Sequence, residues 1–308
     1  MATGAHVTVL GGGWSAEREV SLRSGAACAA ALERAGFRVS RLDPTRRVAE
    51  ELRQLAPDVV FNALHGTWGE DGCVQGILET LEIPYTHSGV LASALAMDKA
   101  KARTLFESAG IPVAEGVVVA RAEAARRHVI QPPYVVKPNR GGSSVGVHIV
   151  TEDDETPPGA LMADDWNHGE EMLVEAFVAG RELTCAVMGG TALGVIDIVP
   201  AEGFYDYHAK YAPGGSKHIL PAELKPNIYL RIQKLALRAH RSLGCRGVSR
   251  ADFRYDDGPE GSGALVCLEV NTQPGMTETS LVPELAAHAG YPFEELVRWM
   301  VEDASCGR

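Results

Sequence analysis

The chain opens on a short apolar run, His6–Leu10, that stops at Gly11-Gly12-Gly13 and gives way to a helical repeat. This junction constrains the fold more than any other feature. A brief apolar run bounded by glycines reads as a buried strand. Apolar residues at Leu22, Ala26, Ala29 and Ala30 then follow helical spacing, predicting a helix over 19–35. Gly36 supplies its C-terminal stop. Further strands are expected over 37–42 and 58–64, the latter running into His65-Gly66. A strand–helix–strand alternation folds as a parallel sheet with helices on its faces, so the first segment is α/β.

The remainder reads differently. A helix is expected over 99–109, ended by Gly110-Ile111-Pro112, with strands over 134–137 and 145–150 flanking a Gly/Ser loop. The acidic stretch 152–159, with Pro157-Pro158, reads as a solvated turn. Strands over 173–177 and 182–188 follow, then a helix over 227–243 with Gly244 as its stop. Strands over 247–255 and 264–271 are joined by a turn-rich segment, 256–261, which suggests a hairpin. At 308 residues the chain is too long for one ordinary core. Domains are expected over 1–96, 97–178 and 179–308.

Composition narrows the function. A net charge of −11 repels a phosphate backbone, so nucleic acid is not an expected partner. No apolar run is long enough to span a bilayer and no secretory leader is seen, so a cytoplasmic location is expected. The six cysteines are widely spaced with no C-x-x-C pair. They read as buried small residues in a reducing compartment, not as a zinc site or disulfide framework.

Four segments could carry chemistry. On the C-terminal hairpin, Glu269 and Asn271 are two residues apart and share a face, with Asp252 nearly opposite Glu269. Three oxygen donors on one patch suit magnesium bridging to nucleotide phosphates. A solvated sheet face is the alternative. Arg250 shares the face of Asp252 and could neutralise an oxyanion, or merely pair with the acids. The loop from Lys137 to Gly146 could cradle phosphate on backbone N–H groups, with Ser143 and Ser144 as donors, or be an ordinary hairpin turn. Glu175 and Glu182 bracket a hinge that could hold an adenine edge and ribose hydroxyls, or simply connect two strands. The segment 204–211, aromatic and carrying Lys210 and Tyr211, reads as a closing loop or as plain surface.

Gly11-Gly12-Gly13-Trp14-Ser15-Ala16 has the form G-x-G-x-x-A, with Asp43 closing the next strand, which raises the rival expectation of an NAD-dependent dehydrogenase. That reading leaves the Gly/Ser loop and the acidic hairpin unused. A non-catalytic nucleotide-binding regulator is a third possibility; it would predict loss of the metal ligands or Arg250, and all are present. Glu17, next to a helix N-terminus, could hold a substrate ammonium or complement the dipole.

Taken in order, these strings resemble the ATP-grasp superfamily and, within it, the D-alanine–D-alanine ligase family. They are Leu10–Gly13 with Ser15–Ser21, Ala63–Gly66 with Gly69–Gly72, Met97-Asp98-Lys99, the Lys137–Gly146 loop, Tyr205-Asp206-Tyr207 with Lys210-Tyr211, Asn271-Thr272 with Pro274–Thr277, and Ser280–Pro283. The resemblance spans nearly the whole chain. It implies a three-domain ATP-grasp architecture with a Rossmann-like N-terminal part. It implies ATP-dependent ligation of two D-alanines through an acyl phosphate, for peptidoglycan precursor synthesis, and a homodimer; a D-alanine–D-lactate ligase or another ATP-grasp carboxylate–amine ligase is the alternative, with Lys210-Tyr211 resembling the dipeptide-forming type.

By the same resemblance, Lys99, Lys137 and Lys210 contact phosphates. Glu175, Phe177 and Val178 hold adenine, and Glu182 holds the ribose. Asp252, Glu269 and Asn271 bind two Mg2+ ions, with Mn2+ able to substitute. Glu17 anchors the first ammonium and His65 lies near its carboxylate. Arg250 and the Gly275 backbone stabilise the oxyanion, and Ser280 and Leu281 hold the second carboxylate. Ser143 and Tyr211 join Glu17 in ordering the lid. The chain departs from the commoner pattern at Gly141, at Ala176 in place of a hinge Lys, at Gln273 where Ser is common, and at His87 where Gly is common.

Overall fold

The computed structural model describes residues 4–142, 145–201, 214–259, 261–277 and 280–308. Three sheets organise them.

The first sheet is parallel, ordered β2-β1-β3, with β1 His6–Leu10, β2 Arg38–Leu42 and β3 Val59–Asn62. Every residue of β1 and β3 is buried, as a strand covered on both faces requires. Helix α1, Arg18–Arg34, makes the crossover. Gly36, at positive φ, ends it, as the sequence reading expects. Helices α2 Val48–Leu55, α3 Cys73–Thr80 and α4 Val90–Met97 complete this part.

Helix α5, Lys99–Ser108, leads into an antiparallel sheet ordered β4-β7-β5-β6. Its strands are β4 Gly116–Ala120, β5 Tyr134–Pro138, β6 His148–Val150 and β7 Glu171–Ala176, with the one-turn helix α6, Arg121–Ala124, after β4. Strand β6 is shorter than the expected 145–150. Val145 and Gly146 form a turn, Gly146 at a φ of 71°, and a left-handed residue cannot continue a ladder.

The third sheet is also antiparallel, ordered β10-β9-β8-β11-β12. It comprises β8 Arg181–Met188, β9 Thr191–Pro200, β10 Ser216–Ile219, β11 Val248–Tyr255 and β12 Leu265–Asn271. Helix α7, Pro226–Ser242, covers one face, and its amphipathic stripe buries Ile232, Leu235, Ala236 and Ala239. Helices α8, Leu281–His288, and α9, Phe293–Asp303, return to the first sheet. One continuous core joins Val7, Leu32 and Phe61 to Ile196, Leu285 and Val297. This packing sets the end of β12 against the loops that follow β1 and β3.

Candidate active site

Two neighbouring hollows meet at the end of the β11–β12 hairpin. The larger, of about 430 Å³, is lined by Glu17, His65, Arg250, Asn271, Gly275 and Ser280 among others. The second lies between the two antiparallel sheets, where Lys137, Glu175, Phe177, Val178, Glu182 and Asp252 face it. Lys99, Gly141, Gly142 and Glu269 line both. The structure therefore brings the expected substrate residues, Leu281 included, to one hollow and the expected nucleotide residues to the other. Ser143, Ser144, Lys210 and Tyr211 lie outside the described residues.

Glu17 occupies the N-cap of α1. Ser15 Oγ donates to the His65 carbonyl at 2.6 Å and accepts from the Glu17 N–H at 3.2 Å, so the turn after β1 is tied to the loop after β3. Gly66 permits this approach: a Cβ there would stand 2.9 Å from Glu17 Oε1, and its φ is 72°. The His65 ring is fixed at both nitrogens, Nδ1 to Glu70 Oε1 at 3.0 Å and Nε2 to Ser24 Oγ at 3.1 Å.

In the second hollow, Lys137 and Arg103 both pair with Glu175. Arg103 Nη1 donates to Glu175 Oε2 at 2.9 Å and Lys137 Nζ bonds Oε1. All three side chains are nearly buried. Sequence reasoning missed Arg103. The signal was available: Lys99, Ala102, Arg103 and Phe106 form the buried stripe of α5, and an arginine on such a stripe needs an internal anion. Arg254 was missed too. It donates to the Val178 carbonyl at 3.0 Å, pairs with Glu182 at 3.5 Å, and lies 5.6 Å from the Phe177 ring centre. His218, paired with Glu284 at 2.8 Å, is a further unforeseen residue lining the larger hollow.

On the hairpin, Asp252 pairs in register with Glu269, and Arg250 with Asn271. Arg250 grips Asp252 with two bonds, Nε to Oδ1 at 2.8 Å and Nη2 to Oδ2 at 2.6 Å, and Thr184 Oγ1 donates to Oδ1 at 2.6 Å. Burial, followed by the charges of Asp252 and Glu269, pushes the nearby Cys267 thiol well above its ordinary range. The patch therefore offers carboxylate and amide oxygens and no thiolate, a donor set that fits a hard divalent cation. Among the described residues no group of three or more His, Cys, Asp or Glu surrounds a point. Two carboxylates and one amide leave positions to be filled by phosphate oxygens, which is how magnesium is held beside a nucleotide.

The dinucleotide-like motif at the chain's start has a structural explanation. Asp43 is engaged by Arg18 Nη1 at 2.7 Å and by the Gly13 N–H at 2.9 Å. The Arg18 guanidinium holds the Asp43 carboxyl below its usual range. That acid braces the turn and is not presented to a ribose.

Comparison with known proteins agrees with this geometry. The profile described as D-ala D-ala ligase C-terminus matches residues 105–302, and the one described as D-ala D-ala ligase N-terminus matches 41–88. The chain belongs to the D-alanine–D-alanine ligase family. A D-alanine–D-alanine ligase of Xanthobacter autotrophicus is 67% identical, over 98% of this chain and 99% of that protein. One from Afipia carboxidovorans is 66% identical, over 98% of each. Among solved structures, the D-alanine–D-alanine ligase of Bacillus anthracis complexed with ATP matches with a TM-score of 0.80 at 31% identity, covering 98% of this chain and 97% of that one. The D-Ala:D-Ser ligase VanG of Enterococcus faecalis matches with a TM-score of 0.79 at 32% identity, covering 97% and 99%. The fold is thus that of the three-domain ATP-grasp ligases, with the α/β first sheet as its Rossmann-like part.

Proposed function

We propose that this member of the family joins two D-alanine molecules into D-alanyl-D-alanine at the expense of ATP, forming ADP and phosphate, for peptidoglycan precursor synthesis. The observation that carries the reading is the pair of adjoining hollows sharing Lys99 and Glu269; the Glu17, His65 and Arg250 lining of one suits a small zwitterion, and the Lys137, Glu175 and Glu182 lining of the other suits a nucleotide. Relatives at 64–67% identity named for this activity support it.

A carboxylate is a poor acceptor of an amine because its leaving group would be oxide. In the proposed course, a carboxylate oxygen of the first D-alanine attacks the γ-phosphorus of ATP and ADP leaves. The acyl phosphate then presents a carbonyl that the second amine attacks, and phosphate departs. Glu17 pairs with the first ammonium, and the fixed His65 ring lies against its carboxylate. Lys99, Lys137 and Lys210 face the phosphates, with Ser143 and Ser144 as further donors. The hinge of Glu175, Phe177 and Val178 seats adenine, and Glu182 accepts from the ribose. Glu175 does this while anchoring Lys137.

Asp252, Glu269 and Asn271 would hold Mg2+, as two ions, which offset charge on the transferring phosphoryl group. Arg250 and the Gly275 N–H stabilise the tetrahedral oxyanion, while Ser280 and Leu281, at the start of α8, receive the second carboxylate. Tyr211 and Ser143 link with Glu17 to order a lid that keeps water from the acyl phosphate. The proposal includes domain boundaries near 96 and 178, a homodimer, and a cytoplasmic location. No helix among the described residues is long and apolar enough to cross a membrane. The described cysteines, all unpaired, suit a reducing compartment.

The test is ADP and phosphate release with Mg-ATP and D-alanine, with product mass read in parallel. L-alanine, D-serine and D-lactate serve as controls. D-alanine-dependent release with a dipeptide mass is expected, and D-lactate should be a poor second substrate. Efficient ester formation at neutral pH, or no stimulation by D-alanine, would overturn the assignment.

A further inference from the structure

Gln273 follows the end of β12 by two residues and is 1% exposed. A buried primary amide is costly unless its donors and its acceptor are met. Here they are met by the opposite wall of the site. Gln273 Oε1 accepts from Asn62 Nδ2 at 2.8 Å, and Nε2 donates to the Leu64 carbonyl. A carbonyl can only accept, so the amide nitrogen must face Leu64 and its oxygen is left for Asn62. The two partners lie 211 and 209 residues away in sequence.

Both ends of this strut reach the reacting groups. At one end, the Gln273 backbone N–H donates to Asn271 Oδ1 at 2.8 Å, and Gly275 follows two residues on. At the other end, Asn62 and Leu64 lead directly into His65 and Gly66. Asn62 is itself held: its Oδ1 accepts from the Leu64 N–H at 3.2 Å and its Nδ2 also donates to the Gly69 carbonyl at 3.1 Å. Gln75 Nε2 donates to that same carbonyl at 2.8 Å. The loop carrying His65 is therefore fixed to the segment carrying Asn271 and Gly275 through one side chain.

We propose that Gln273 is a positioning residue: it sets the distance between the His65 wall of the substrate hollow and the Asn271–Gly275 wall, and so aligns the first D-alanine with the oxyanion donors. This rests on the ligase reading above. Misplacing a substrate by about 1 Å can cost on the order of 100-fold in rate, so a strut of this kind shows in turnover as well as in stability.

The test compares Gln273→Met, which keeps the volume but removes both bonds, with Gln273→Glu, which keeps the acceptor for Asn62 and loses the donor for Leu64. Through a lower kcat and a higher KM, Gln273→Met, which loses both bonds, should cut kcat/KM for D-alanine by roughly 30-fold, and Gln273→Glu, which loses one, by at least roughly fivefold. The KM for ATP should stay within about twofold, because the Gln273 side chain bonds Asn62 and Leu64, neither of which lines the nucleotide hollow. Asn62→Ala combined with Gln273→Met should be little worse than the worse single variant. Melting temperature is measured alongside. A Gln273→Met protein that melts lower but keeps wild-type kcat and KM shows a purely structural amide and overturns the inference, as does full additivity in the double variant. A wild type that releases no ADP with D-alanine sinks the ligase reading itself; a wild type that turns over beside an equally active Gln273→Met sinks the inference alone.

Discussion

The buried triad of Arg103, Glu175 and Lys137 makes a quantitative prediction. Glu175 is 4% exposed and sits between two cations, so the cluster carries one net positive charge. Glu175→Gln removes the anion and leaves two cations facing each other in a poorly solvated site. Removing one partner of a buried ion pair costs about 3–5 kcal/mol. Glutamine Oε1 can still accept one bond, and Arg103 keeps its bond to the Ala114 carbonyl at 2.6 Å, so the lower end, about 3 kcal/mol, is expected. With unfolding entropy near 2.1 cal/mol/K per residue, a chain of this length should melt roughly 5 °C lower. ATP adds a second readout. On the proposed placement its phosphates would bring anionic charge to Lys137, so saturating Mg-ATP should raise the melting temperature more in the variant than in the wild type. Arg103→Met behaves differently. It leaves a neutral Lys137–Glu175 pair, in which Lys137 becomes the sole counter-ion of a buried carboxylate and is withheld from phosphate. Its KM for ATP should rise. Thermal shift with and without Mg-ATP reads all three proteins. A Glu175→Gln protein melting within about 1 °C of wild type would falsify the view that this triad holds the nucleotide wall together.

Three further outcomes are expected. Glu269→Gln should shift the Mg2+ dependence of turnover to higher concentration and lower kcat strongly with little change in melting temperature; near-normal turnover at limiting Mg2+ contradicts the ligand assignment. Arg250→Met should lower kcat by about 10²–10³, the loss typical of one oxyanion donor, and a loss under about tenfold would show that Arg250 serves only to pair with Asp252. Burial, then the charges of His65 and Arg308, push His87 down to about 3 from an ordinary 6.5, and burial pushes His240 down to about 4. Both are neutral when folded and bind a proton more readily when unfolded. Their contribution is complete above pH 6.5 and falls as pH drops toward 4 and 3. Melting temperature should therefore decline on acidification below neutrality, and His87→Gly should flatten part of that slope; an unchanged slope counts against the histidine origin.

What the sequence showed and what it hid divide along the range of the interactions. The opening strand and its helix were legible because periodicity and glycine stops act within a few residues: His6–Leu10 is a strand and Gly36 ends α1. The facing of Asp252 and Glu269 was legible too, because a hairpin pairs about its own turn. Its mechanism was not. Phe253 pairs with Cys267, yet Asp252 pairs with Glu269, so Leu268 is bulged out of the ladder. Without that extra residue Asp252 would oppose Leu268, and Glu269 would slip past it. The bulge brings the two carboxylates into register and turns Leu268 toward the nucleotide hollow. No local pattern announces it. The same holds for Arg103 finding Glu175 across 72 residues and for Gln273 finding Asn62 across 211. A motif can nominate the groups that touch substrate, since their chemistry demands particular residue types. The groups that hold them in place are selected by whatever tertiary packing brings alongside, and any residue with the right donor and reach can serve. That is why Gln273 and Arg103 emerge only once the walls of the site are set against each other, and why their substitution should disturb alignment while leaving every motif residue intact.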